Sequence, residues 1–357
     1  MSGKGFLAAG IVLIIVITAA VFIKNRPVEE TKETGQETVT GTEAEAEQEA
    51  VTSEEPVAEA DPVTEEKPET EESSAAEEED VPELENVSEE GDGRFTFSFD
   101  GLEHDMIIDL PEKPEGAPVI IMLHGQGNTA ESFRSTVHLE EDANPRGYAV
   151  AYLTAAADPD NPAYGIGWNS GLREGRNRDV ELIKAVVNYL QSVYGFDENR
   201  IFAAGFSNGA FMIHRLAMEA GDRFCAVVSC AGFMTEYVWN EKNEKNDTGF
   251  FQITGQKDDV VPKYSDGKNS DGSVKNKKAP AIEDVVDYWA ASNGLTQKEE
   301  TKIGKKDSTL TKYTGGDGRK QVWNLFVIDG YHSWYEEKLT GIDTNELVLD
   351  FFDACSK

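Results

Sequence analysis

The chain has 357 residues, 67 acids against 33 lysines and arginines, a net charge of −34 and three cysteines. So acidic a chain, with its bases scattered rather than massed in a stripe, has no footprint for a phosphate backbone, which excludes nucleic acid as a partner. Cys225, Cys230 and Cys355 are odd in number and lack metal-ligand spacing, so all three read as unpaired and leave the redox compartment open.

Charge divides the chain into three regions. Residues 1–26 contain Lys4, Lys24 and Arg26 and no acid. Within them residues 6–23 are uncharged, and a helix of that length covers about 27 Å, enough to cross a bilayer. This predicts an N-terminal membrane anchor or signal segment, with the anchor favoured because Lys24 and Arg26 bracket it. Positive charge is balanced across the segment, so charge alone gives no orientation. Residues 27–92 hold 26 acids, two lysines and no aromatic residue. Too little apolar surface is present to offset the entropy of ordering, which predicts an acidic disordered linker about 45 Å long as a random coil. Only residues 93–357 can build a core, and they suffice for one catalytic-size domain.

In chain order, residues 95–99 alternate at period two, Asp100-Gly101 makes a two-residue turn, and residues 104–110 run apolar again, predicting an opening β-hairpin. Residues 118–123 and 148–153 are short all-apolar runs, as expected of strands buried on both faces. Helical spacing over 180–193 is followed by a strand at 200–204, a helix at 208–220 and strands at 225–230 and 249–254. A helix at 281–291, a strand at 321–328 and a helix at 345–352 complete the pattern. Residues 266–278, with two Ser-Asp-Gly triplets, read as a polar surface insertion. The fold class is α/β: a mostly parallel sheet with helices on both faces, opened by an antiparallel hairpin.

The strand at 200–204 runs into Gly205-Phe206-Ser207-Asn208-Gly209 and then a helix. In that setting Gly-x-Ser-x-Gly is the strained turn that exposes a nucleophilic serine. A serine hydroxyl needs a histidine base and an acid that orients it, in the chain order Ser, Asp or Glu, His. Of five histidines, His104, His124 and His138 precede Ser207, and His214 lies on the following helix, pointing away from the turn. That leaves His332, just after an apolar strand, as the base. The acid belongs in the loop after 249–254, where Asp258 is favoured and Asp259 is the neighbouring alternative. Oxyanion donors are expected from the backbone N–H of Asn208 and, in the loop His124-Gly125-Gln126-Gly127, from that of Gln126. His124 itself reads as structural. No cofactor is implied. Asp158, Asp160 and Asn161 lack the regular ligand spacing of a calcium loop.

His124-Gly125, the Gly205 to Gly209 motif, Asp222-Arg223-Phe224, Gly255-x-x-Asp258 with Val261-Pro262, and Gly330-x-His332-x-Trp334 together resemble the polyhydroxybutyrate depolymerase and feruloyl esterase family of secreted α/β-hydrolases. The resemblance runs over residues 95–352 and implies a catalytic triad of Ser207, Asp258 and His332. It also favours an extracellular placement. The chain departs from the family pattern at Thr254-Gly255, where His-Gly is frequent, and at Trp334-Tyr335, where the family often has Trp-Pro-Gly. Trp168, Trp334 and Tyr331 are expected to wall the substrate site, with Tyr164 and Trp239 nearby. The function expected is hydrolysis of carboxylic esters, feruloyl or acetyl groups on plant polysaccharide; a polyhydroxyalkanoate depolymerase or peptidase of the same fold, and a binding module that no longer catalyses, are the alternatives.

Overall fold

A computed structural model describes residues 83–356 except 160–161, 173–177, 243–247, 262–278 and 317. The expected anchor at 6–23, the linker up to residue 82, Asp160, Asn161 and the insertion at 266–278 lie outside the described residues.

Three strands open the domain: β1 (Glu85–Gly91), β2 (Arg94–Phe99) and β3 (Leu102–Asp109), all antiparallel neighbours. The β2–β3 turn places Asp100 at φ 51° and Gly101 at φ 73°, the left-handed pair that a two-residue hairpin requires. β4 (Val119–Leu123), β5 (Ala149–Leu153), β6 (Ile201–Phe206), β7 (Ala226–Cys230), β8 (Gly249–Gly255) and β11 (Val322–Val327) supply the parallel part. A second antiparallel hairpin, β9 (Gln297–Ile303) with β10 (Ser308–Thr314), joins through β10 to β11. The sheet order is β1-β2-β3-β5-β4-β6-β7-β8-β11-β10-β9.

The central parallel strands β4, β5 and β6 are continuous apolar runs because both faces are covered. Ile121 of β4, Ala203 of β6 and Val227 of β7 face one core, completed by α3 (Asp179–Tyr194), α4 (Asn208–Glu219) and α6 (Ile282–Ser292). Their neighbours Ile120, Phe202 and Val228 face the other, under α1 (Ala130–Val137), α2 (Leu139–Ala143) and α8 (Thr344–Cys355). Two short helices, α5 (Glu236–Asn240) and α7 (Glu337–Thr340), lie in connections. β5 and β6 flank β4 on opposite sides, so the chain changes direction there, and the carboxyl ends of β4 and β6 open a crevice, where ligands bind in folds of this kind.

Two elements depart from the sequence reading. β1 falls inside 27–92, the stretch expected to be unstructured, so order begins before residue 93. Its side chains are almost all exposed and it is held by backbone pairing to β2, which leaves no apolar period to detect. β9 is exposed in the same way, with the charged sequence QKEETKI. The three cysteines are unpaired, as expected.

Candidate active site

The turn after β6 is shaped by what cannot fit there. Ser207 sits at φ 53° and ψ −115°, a conformation that costs a non-glycine residue about 1–3 kcal/mol and clusters at functional sites. A Cβ on Gly205 would lie 2.4 Å from the Gly209 carbonyl oxygen, and one on Gly209 would lie 2.1 Å from that of Leu123. Both glycines are therefore required for the turn to pack against β4. The Ser207 N–H donates to the Cys230 carbonyl at 3.0 Å, pinning the turn to the end of β7. Its hydroxyl makes no capping hydrogen bond to α4, so it is not consumed by the helix it precedes. The first N–H groups of α4, beginning with Asn208, have no partner within the helix and carry its positive dipole end.

The loop after β4 passes directly beside the serine: a Cβ on Gly125 would come within 3.3 Å of Ser207 Cβ. That places the backbone of Gln126 on the same side as the start of α4. The side chains of both residues have work that sequence reasoning missed. Gln126 Nε2 donates to the carbonyls of Tyr164 at 2.6 Å and Ile166 at 3.0 Å. Asn208 Oδ1 accepts the Trp168 N–H at 2.6 Å while its Nδ2 donates to the Trp168 carbonyl at 3.1 Å. Together they clamp residues 164–168 across the site. Two long amide side chains beside an elbow serine are the only signal in the sequence that pointed this way.

His124 lies buried under this loop, with Nδ1 2.6 Å from the Gly125 carbonyl and Nε2 accepting the Ala155 N–H at 3.0 Å. Both ring nitrogens are engaged, and burial pushes the imidazole down to about 4, so His124 is a neutral structural residue as expected. His214 on α4 is fully buried, 3.1 Å from Ser229 Oγ, and burial pushes it down to about 3. His104 is buried in β3, its Nδ1 3.1 Å from the Thr154 carbonyl, and His138 is half a turn between α1 and α2 at φ 48°.

Asp258 and His332 come together from the loops after β8 and β11. The His332 Nδ1 is 2.7 Å from Asp258 Oδ2. The other oxygen of Asp258 accepts the N–H groups of Val260 at 3.0 Å and Val261 at 2.7 Å. Asp258 is buried and Asp259 exposed, and of the two acids left open by the sequence it is Asp258 that meets the histidine. The His332 ring packs on Phe206, centroid to centroid 4.9 Å, so the imidazole sits over the residue preceding Ser207. The two loops are also tied to one another: the Lys257 N–H donates to the Gly330 carbonyl at 2.7 Å, and Lys257 Nζ meets Asp329 Oδ1 at 2.8 Å.

The aromatic wall differs from expectation. Trp168 is 0% exposed, donates its Nε1–H to the His124 carbonyl at 3.0 Å and packs at a tilt against the His124 ring, so it is shut off from a substrate. Trp334 packs edge-on against Phe133 and donates to Asn345 Oδ1 at 2.9 Å, tying the histidine loop to α8. Trp239 is half-buried against Tyr288. Tyr331 is the one of the three expected wall residues that stays open, 62% exposed. Val260, Leu172 and Tyr237 are also exposed, the last with its ring against Gly171. Leu172, Tyr237, Val260 and Tyr331 follow β5, β7, β8 and β11, so all belong to the carboxyl end of the parallel strands, where Ser207 lies.

The chain is similar in sequence to known proteins. A family model described as phospholipase/carboxylesterase matches residues 104–280. NocK of Nocardia uniformis subsp. tsuyamanensis, an esterase by name, is 36% identical over 63% of this chain and 67% of its own. The chain belongs to this esterase family. It is a carboxylic ester hydrolase of the α/β-hydrolase fold. Feruloyl esterase B of Thermothelomyces thermophilus is 30% identical over 33% of this chain and 40% of that one. Acetylxylan esterase A of Emericella nidulans is 26% identical over 38% and 44%. The chain thus spans about two thirds of the bacterial relative and about two fifths of the fungal ones.

Proposed function

We propose that this esterase acts outside the cell on feruloyl or acetyl esters of plant polysaccharide, through an acyl-enzyme on Ser207. The observation that carries the mechanism is the 2.7 Å contact of His332 Nδ1 with the buried Asp258, made while the imidazole rests on Phe206 beside the strained serine. With Nδ1–H donated to the carboxylate, Nε2 is left to take the Ser207 proton. The serine oxygen then adds to the ester carbonyl, and the N–H groups of Gln126 and Asn208 stabilise the oxyanion. Collapse breaks the ester C–O bond, and the alcohol departs with the proton from His332. A water molecule, deprotonated by His332, adds to the acyl-serine; the acid leaves, and Ser207 recovers its proton.

The acyl group is supported by the names of the feruloyl and acetylxylan esterases and by the exposed apolar rim of Leu172, Tyr237, Val260 and Tyr331, which suits a flat aromatic acid. The extracellular placement is supported by the uncharged segment at 6–23 and the acidic stretch after it. Turnover of p-nitrophenyl acetate, methyl ferulate and acetylated xylan by the full chain, beside Ser207→Ala, tests both levels. Loss of all turnover in the variant is expected; equal rates would reject Ser207 as nucleophile. Methyl ferulate no faster than simple acetyl esters would reject the feruloyl preference alone.

A further inference from the structure

His332 stands between two peptide carbonyls that are each held by a buried side chain. The Tyr335 hydroxyl donates to the Tyr331 carbonyl at 2.7 Å, and the Cys230 thiol donates to the Ser333 carbonyl at 3.6 Å. Both donors are buried. Burial raises both groups above their ordinary range, with Cys230 and Asp258 adding to the rise at Tyr335, so each stays protonated and able to donate.

The space occupied by the Tyr335 hydroxyl is left by two glycines. A Cβ on Gly255 would lie 2.4 Å from that oxygen, and one on Gly330 would lie 2.8 Å from it. Gly255 ends β8 three residues before Asp258, and Gly330 precedes His332 by two. The hydroxyl therefore touches the base of both loops whose side chains meet at 2.7 Å. Its own backbone is fixed from behind: the Tyr335 N–H donates to Thr344 Oγ1 at 3.0 Å, and its carbonyl accepts the Thr344 N–H at 3.1 Å. Tyr335 is also where the chain departs from the Trp-Pro-Gly frequent after the histidine in the resembling family, and a proline there would bring no hydroxyl and no N–H for Thr344.

We propose that Tyr335, seconded by Cys230, is a positioning residue that sets the register of His332 against Asp258 by hydrogen-bonding the carbonyls on either side of the histidine. The inference rests on the reading of His332 as the base. Without these two struts the imidazole would spend part of its time away from the carboxylate, with Nε2 off the line to Ser207.

The test uses the full chain and p-nitrophenyl acetate. Tyr335→Phe keeps the ring and removes one hydrogen bond, and kcat is expected to fall about tenfold, with KM unchanged; Cys230→Ala is expected to lower kcat about threefold. Cys230→Ser, which restores a donor, should recover part of that loss. In an Asp258→Asn background the same substitution should have little further effect, since the register it protects is already lost. If Tyr335→Phe does not fold, Cys230→Ala and Cys230→Ser carry the same kinetic comparison. A kcat equal to that of the unaltered protein, or a loss confined to KM, would overturn the inference. Ser207→Ala run alongside separates the two levels: an active Ser207→Ala removes the mechanism itself, whereas an inactive one beside a normal Tyr335→Phe removes only the positioning role.

Discussion

The serine turn and the histidine loop stand on one crevice and are built in opposite ways. The turn is fixed by backbone: Gly205 and Gly209 approach neighbouring carbonyls too closely for any side chain, and Ser207 is forced to φ 53°. The histidine loop is fixed by side chains: Tyr335 reaches the Tyr331 carbonyl, Cys230 reaches that of Ser333, and Trp334 reaches the Asn345 side chain. A backbone-built site is rigid and shows as a motif; a side-chain-built site is adjustable and is spread over residues far apart in sequence.

The largest expected effect lies at the turn. Ser207→Ala should cost about 10⁴-fold or more in kcat. Ser207→Gly should lose the same activity while gaining on the order of 1 kcal/mol in urea unfolding, because glycine adopts that φ without strain. A glycine variant less stable than the parent would show that the turn is not strained. Asp258→Asn should lower kcat about 10⁴-fold by stabilising the wrong tautomer of His332, whereas the exposed Asp259→Asn should leave it nearly unchanged. Comparable losses at the two positions would reassign the acid.

Stability should separate the two constructions directly. Gly209→Ala drives a Cβ to 2.1 Å from a carbonyl in β4 and is expected to cost about 3 kcal/mol or more. Gly330→Ala meets the Tyr335 hydroxyl and the Val327 side chain at 2.8 Å, which can move, and should cost about 1 kcal/mol. Equal shifts in denaturation midpoint would dissolve the distinction.

The last effect concerns pH. A histidine in the unfolded chain titrates near 6.5, while burial holds His124 down at about 4 and His214 at about 3. Folded-state proton affinity is depressed, so their contribution is complete above pH 6.5 and is lost as pH falls towards 4. Each should remove about 1.4 kcal/mol per pH unit below 6.5, read from urea midpoints between pH 7 and 5. A flat series would mean that neither ring is held neutral by burial.

The parallel core was legible because a strand covered on both faces is largely apolar, as Val119–Leu123 and Ile201–Phe206 are throughout. β1 and β9 were not, because their faces are wet and their hydrogen bonds belong to the backbone, which leaves no side-chain pattern. The meeting of Asp258 with His332 was legible from chain order, since each was placed in a loop after a strand. Trp168 was misread because an aromatic residue in a loop looks the same whether it faces the crevice or, as here, supports His124 from below. Tyr335 gave one hint only, its departure from the pattern after the histidine.

The two outer strands carry a further consequence. An unpaired strand edge invites a second molecule to extend the sheet, and charge along the edge discourages it. β1 presents Glu85, Glu89 and Glu90 at one end of the sheet, and β9 presents Lys298, Glu299, Glu300 and Lys302 at the other. Docking two copies β1 to β1 would align carboxylates with carboxylates, which discourages extension of the sheet through that edge.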